Sequence, residues 1–128
     1  MRWIHFDQCE NFRDLGGHRT GSGASTRYGR LYRSDTLESL SDEDHRRFAQ
    51  LGIVTVIDLR ASSEIIRRGR IDLTRQPVRY VHLPLVDVVG DPTAWDPVEA
   101  ARPGYPIEGY RQMLSGGADR LAEVLRVL

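Results

Sequence analysis

The sequence predicts an α/β fold built on a parallel sheet, and three observations carry that expectation. The stretch "IVTVIDL" (53–59) is a nearly continuous apolar, β-branched run, the pattern of a strand covered on both faces of a parallel sheet. Strand-like and helix-like stretches alternate along the chain, as in βαβ units. The last stretch places Ala118, Leu121, Ala122, Leu125 and Leu128 at i, i+3, i+4, i+7 and i+10, one face of an amphipathic helix. At 128 residues the chain is sized for a single domain. A chain of this length buries roughly two-thirds of its unfolded surface, enough for one core.

The elements follow in order. Residues 11–15 and 30–34 read as short strands. Between them "GHRTGSGASTRYG" is a Gly/Ser/Thr loop, a hairpin-like connection. Ser41 is a good N-cap, Asp44 sits at the capping-box position, and Asp42, Glu43 and Asp44 complement the helix dipole. That helix has Phe48 and Leu51 on its apolar face and stops at Gly52. After 53–59, Ser62 or Ser63 caps a second helix that runs to Arg68 and closes at Gly69. "VRYVHLPL" (78–85) is a further strand, stopped by Pro84. Residues 87–106 hold four of the six prolines and read as a long loop. Helices around 107–114 and 118–128 finish the chain. The last one ends in mid-pattern, and the alternation predicts another strand beyond it, so the sequence reads as truncated.

Composition narrows the function. Formal net charge is zero, so no global field draws the chain to nucleic acid or an anionic membrane. No apolar run approaches the roughly 20 residues of a membrane span. The N-terminus has no apolar stretch of signal-peptide length, which predicts a cytoplasmic protein. Cys9 is the sole cysteine, so no internal disulfide forms. The histidines (His5, His18, His45, His82) lack ligand spacing, and neither a metal nor another cofactor is expected. All 18 basic residues are arginine. Codon bias is the plain reading of that, and bidentate phosphate binding the sharper one; composition does not separate them.

In open α/β sheets, ligands bind beyond the carboxyl ends of the strands. "VIDLR" delivers Asp58 and Arg60 there, and "VHLPLVD" delivers His82 and Asp87. With Arg13 and Asp14 these residues suit an oxyanion substrate, Arg as the clamp and Asp as the acid. The competing reading is a structural ion-pair network, with Arg13 or Arg60 paired to Asp14, Asp58 or Glu64. Cys9 is followed by a strand rather than a helix N-terminus, so it reads as a small, partly buried apolar residue. Trp3, Trp95 and the tyrosines read as core or loop-anchoring residues.

"NFRDLGG" (11–17), "GRLYRSDTLESLSDEDHRRFAQLGIVTVIDLRASSEI" (29–65) and "VHLPLVD" (81–87), in that order, resemble the bacterial tyrosine phosphatase family of protein-tyrosine and phosphoinositide phosphatases. The resemblance covers nearly the whole chain. It implies a parallel-sheet, cysteine-phosphatase-like fold, incomplete here at the C-terminus. It implies a mechanism in which a thiolate in a His-Cys-x5-Arg loop attacks phosphorus, an Asp protonates the leaving phenolate, and water releases phosphate. It implies a phosphotyrosine protein or a phosphoinositide as substrate. Asp87 matches the general acid. Arg13, Asp14, Arg33, Asp58 and Arg60 match residues that buttress the phosphate loop. The loop itself is missing: Cys9 follows Gln8, and the residue six positions on is Leu15. The chain as given is therefore expected to be inactive alone. Two other readings stand beside this one, a catalytically dead phosphatase-like binding domain and a rhodanese-like module suggested by "VIDLRASSEIIRRGRID".

Overall fold

A computed structural model describes residues 2–86 and 105–128. These form two compact units, Met1–Val54 with Arg70–Val78, and Thr55–Gly69 with Arg79–Leu128.

The first unit carries a three-stranded antiparallel sheet in the order β1 (Arg2–Trp3), β2 (Arg13–Asp14), β3 (Tyr32–Arg33). The strands are shorter than 11–15 and 30–34, and the sheet they form is antiparallel. Arg13 lies opposite both Trp3 and Arg33, and Asp14 opposite both Arg2 and Tyr32. Side chains alternate faces along a strand. Phe12 and Asp14 therefore go inward, at 2% and 0% exposure, while Arg13 goes outward. Phe12 is the centre of the core: its ring stacks on Phe6 (4.4 Å) and meets Phe48 edge-on (6.4 Å). Trp3 is 60% exposed rather than part of that core. On an edge strand its outward position sets the Arg13 guanidinium above its ring, at 5.2 Å.

The loop between β2 and β3 folds back on itself through an Arg19–Ser25 bridge. Its two glycines have separate reasons. A Cβ on Gly16 would lie 2.6 Å from the Tyr28 Cα, which is backbone and cannot yield. Gly17 has φ +81°, a left-handed conformation strained for other residues.

Helix α1 (Asp42–Gln50) starts as its sequence dictates. The Ser41 side chain accepts the Asp44 N–H, and the Asp44 carboxylate accepts the Ser41 N–H, a reciprocal capping box. Asp44 also accepts the N–H groups of Asp7 (2.7 Å) and Gln8 (2.8 Å), so a fully buried carboxylate fastens the N-terminal segment to the helix start.

The 70–78 segment packs against α1. Ile71 is buried, Arg75 pairs with Asp42 at 2.7 Å, and the buried Gln76 side chain donates to the His45 carbonyl at 2.7 Å. The same amide nitrogen lies 3.2 Å from His45 Nδ1, which therefore acts as an acceptor and carries no proton. Burial lowers the His45 pKa, as does Arg75, against the pull of Asp72, Asp42 and Asp44. The unfolded chain thus binds the proton more tightly than the folded one. The stability this group contributes is complete above its unfolded pKa of about 6.5 and is lost as pH falls below it. Melting temperature is expected to drop between about pH 7 and about pH 5, and the drop to shrink in His45→Gln, as read by circular dichroism.

The second unit holds the parallel pair β4 (Thr55–Asp58) and β5 (Arg79–His82), joined through α2 (Ser62–Arg68). The mixed α/β class and the parallel pairing match the sequence expectation. Full cover of β4 does not: all four of its residues are half-buried, and the neighbouring Val54 is 76% exposed. Helix α2 takes Ala61 as its cap rather than Ser62 or Ser63; the Glu64 carboxylate accepts the Ala61 N–H at 3.1 Å. Gly69 closes it with φ 86°. Helices α3 (Tyr105–Gly116) and α4 (Ala118–Val127) contact each other across Gly117. A Cβ on Gly117 would sit 2.7 Å from the Met113 carbonyl and 3.0 Å from that of Leu85. Leu121, Ala122, Val124 and Val127 are half-buried, whereas Leu125 and Leu128 stay exposed, so the buried side of α4 is rotated from the stripe read in the sequence. The loop read at 87–106 lies almost wholly outside the described residues.

Candidate functional site

The parallel register sets Asp58 beside His82 at the carboxyl ends of β4 and β5, with Tyr80 beside Val56 one pleat earlier. Cross-strand neighbours share a face, so Tyr80, His82 and Asp58 all project to the same side. This is the sheet end where α/β proteins bind ligands.

Asp58 organises the cluster. Its Oδ1 accepts the Arg60 backbone N–H at 3.0 Å, an Asx turn that bends the chain just past the strand, and the Arg60 Nε at 2.9 Å. Its Oδ2 accepts the Arg60 Nη2 at 2.6 Å and the Tyr80 hydroxyl at 2.8 Å. The two charged side chains are only 10% and 15% exposed. Burial works to raise the Asp58 pKa, but the hydrogen bonds from Arg60 and Tyr80 outweigh it and hold the carboxyl below its usual range. Asp58 is therefore an anion at neutral pH and serves as an anchor rather than a proton donor. Arg60 also donates to the Gly69 carbonyl at 3.0 Å, which ties the strand end to the end of α2. His82 Nε2 donates to the Arg60 carbonyl at 2.8 Å, which fixes the orientation of the ring.

Of the sequence-derived set, the structure thus brings together Asp58, Arg60 and His82. Asp87 lies outside the described residues. Arg13, Asp14 and Arg33 belong to the first unit. Arg13 and Asp14 do not pair, because consecutive strand residues face opposite ways. Arg13 donates to the Asn11 carbonyl at 2.8 Å and covers Trp3; Arg33 lies across from it, exposed. Asp14 accepts the N–H groups of Gly16 and Gly29, both at 2.8 Å, with Arg2 3.8 Å away. One carboxylate thereby holds both ends of the 16–29 loop.

Cys9 is buried, and that burial together with the nearby Asp35 carboxylate pushes its thiol up to about 11. A thiol so placed is protonated at neutral pH and is no nucleophile. Among the described residues no group of three or more His, Cys, Asp or Glu side chains could hold a metal ion, and no helix is long and apolar enough to cross a membrane.

Sequence reasoning missed one contributor to the site and one anchor of the first unit. Tyr80 had a usable signal: it alternates with His82 on a strand whose partner ends in Asp58. Asp44 was read as a cap, but nothing local announces its bonds to Asp7 and Gln8, 37 and 36 residues earlier.

The geometry can be set against known proteins. The family model described as "Tyrosine phosphatase family" matches residues 4–128. The triple specificity protein phosphatase PtpB of Mycobacterium tuberculosis is 44% identical over 59 residues, a match covering 46% of this chain and 20% of that protein.

Proposed function

The chain belongs to the tyrosine phosphatase family, and from that premise we propose that it is part of a protein-tyrosine phosphatase working through a phosphocysteine intermediate. The observation that carries the reading is the Asp58–Arg60 pair, braced by Tyr80 and His82 where β4 and β5 end. In this reading a thiolate attacks phosphorus while the ester P–O bond breaks. Asp87 delivers a proton to the departing phenolate. Water then cleaves the S–P bond and frees phosphate. Asp58 and Arg60 fix the turn beside the phosphate loop; Arg13, Asp14 and Arg33 match the family's buttressing residues. The substrate is a phosphotyrosine protein, with a phosphoinositide as the alternative; the "triple specificity" in the relative's name supports acceptance of more than one phosphorylated group. A cytoplasmic location belongs to the same reading.

These 128 residues contain no His-Cys-x5-Arg sequence, and Cys9 is buried as a thiol. We therefore expect no turnover of p-nitrophenyl phosphate by this chain alone. Activity is expected in the native gene product if its intact mass extends into such a loop, and Asp87→Asn should then lower kcat by about 100-fold. Turnover by the 128-residue chain that disappears in Cys9→Ser would overturn the reading. The second reading, a phosphate-binding domain without catalysis, rests on the same buried Cys9. It is favoured if the native product carries no thiolate loop and binds a phosphotyrosine peptide saturably without hydrolysis.

A further inference from the structure

The chain is neutral overall, yet its charge is unevenly placed. Between Asn11 and Ser34 lie five arginines (Arg13, Arg19, Arg27, Arg30, Arg33) against one carboxylate, Asp14, which is fully buried. None of the five forms an ion pair among the described residues. The arginines of α1 and the 70–78 segment behave differently: Arg46 and Arg47 pair with Glu43, and Arg75 pairs with Asp42.

The hairpin also has an apolar floor between its charges. The Leu15 N–H donates to the Leu31 carbonyl at 2.9 Å, extending the Arg13–Arg33 and Asp14–Tyr32 register by one pair. Alternation then sets Leu15 and Leu31 on the outward face with Arg13 and Arg33. Leu31 is 39% exposed. The two leucines, with Thr26, Arg27 and Arg30, line an open depression of about 370 Å³. Arg27 and Arg30 thus rim the depression whose floor is Leu15 and Leu31, and the Arg13–Arg33 pair lies one alternation further along the strands. Arg13 and Arg33 directly opposite each other repel, a cost that a bound anion would remove.

We propose that this hairpin face docks an acidic peptide segment with one apolar side chain. The apolar side chain seats on Leu15 and Leu31, and flanking carboxylates or phosphates pair with Arg27 and Arg30 on one side and Arg13 and Arg33 on the other. Guanidinium groups suit such oxyanions because each presents two parallel N–H donors. The apolar floor set among the charges favours a peptide over a membrane, since a lipid surface would need only the charge. The proposal concerns recognition and does not depend on the phosphatase chemistry.

The test is fluorescence anisotropy with a fluorescein-labelled Glu-Glu-Leu-Glu-Glu peptide and the full chain. Saturable binding that weakens with added salt is expected. Arg27→Glu combined with Arg30→Glu should weaken it by about tenfold or more, and Leu31→Ala severalfold. Arg46→Glu on α1 should leave it unchanged, with circular dichroism checking the fold of each variant. A peptide with glycine in the central position should bind severalfold more weakly. Equal binding of the glycine peptide, or indifference to the Arg27/Arg30 reversal, overturns the proposal. So does sedimentation of the chain with phosphatidylserine vesicles when the peptide shows no binding.

Discussion

Asp44→Ala is expected to lower the unfolding free energy by about 4 kcal/mol, because it strips charge-assisted partners from three backbone donors at once. Those donors are the N–H groups of Asp7, Gln8 and Ser41. The carboxylate itself is fully buried, so the vacated site is poorly placed to recruit water. A neutral domain of this size has only about 5–15 kcal/mol in total, and the loss is a large part of it. Urea unfolding followed by circular dichroism measures it. Asp44→Asn should recover less than half, since its NH2 group would face N–H donors. Asp42→Ala, on an exposed pair, should cost far less and serves as the reference.

The same residue predicts acid sensitivity. Burial acts to raise the Asp44 pKa, but the bonds from Asp7, Gln8 and Ser41 prevail and lower it. A depressed carboxyl contributes its full stability above its unfolded pKa of about 3.9. That contribution disappears as pH falls through the depressed folded value, so wild type and Asp44→Asn should converge in stability at the acid end.

Asp58→Ala is the second large effect, with an expected loss of about 3–5 kcal/mol. The reason is what the carboxylate holds at a largely buried position: the Arg60 backbone N–H, its guanidinium and the Tyr80 hydroxyl. Pairing the change with Arg60→Leu should restore at least half of the loss, because an apolar side chain tolerates the same burial. Differential scanning calorimetry of the two single variants and the double variant closes the cycle. Additive losses, with no recovery in the double variant, would mean the two side chains act independently and would remove the anchoring role assigned to Asp58.

Where the determinants were local, the sequence was readable. Ser41 with Asp44 three residues on specifies a helix start, and Gly52 and Gly69 specify stops, because each acts within one turn. The β-branched run before Asp58 announced a parallel strand by composition alone. Gly16 and Gly17 make room for Tyr28, a contact that only the fold reveals. Long-range and directional facts were not readable in the same way. Arg13 and Asp14 looked like a pair, yet strand alternation sends one outward and the other into the core. Trp3 looked like a core residue because it is large and apolar, but an edge strand exposed it. At the candidate site, Asp58 and Arg60 were visible two residues apart, whereas their engagement by Tyr80 required knowing the β4–β5 register.

The Asp14 carboxylate has a consequence for what the hairpin can tolerate. Because it grips the N–H groups of Gly16 and Gly29 together, the base of the loop is closed independently of its tip. At the tip, a side chain added at Gly21 or Gly23 would meet nothing within 4 Å. Lengthening a loop whose ends are already fastened costs only about 0.6 kcal/mol per doubling. Evolution and engineering alike can therefore rewrite or extend residues 20–24 as a graft site, changing what the molecule displays there while the strands beneath keep their register.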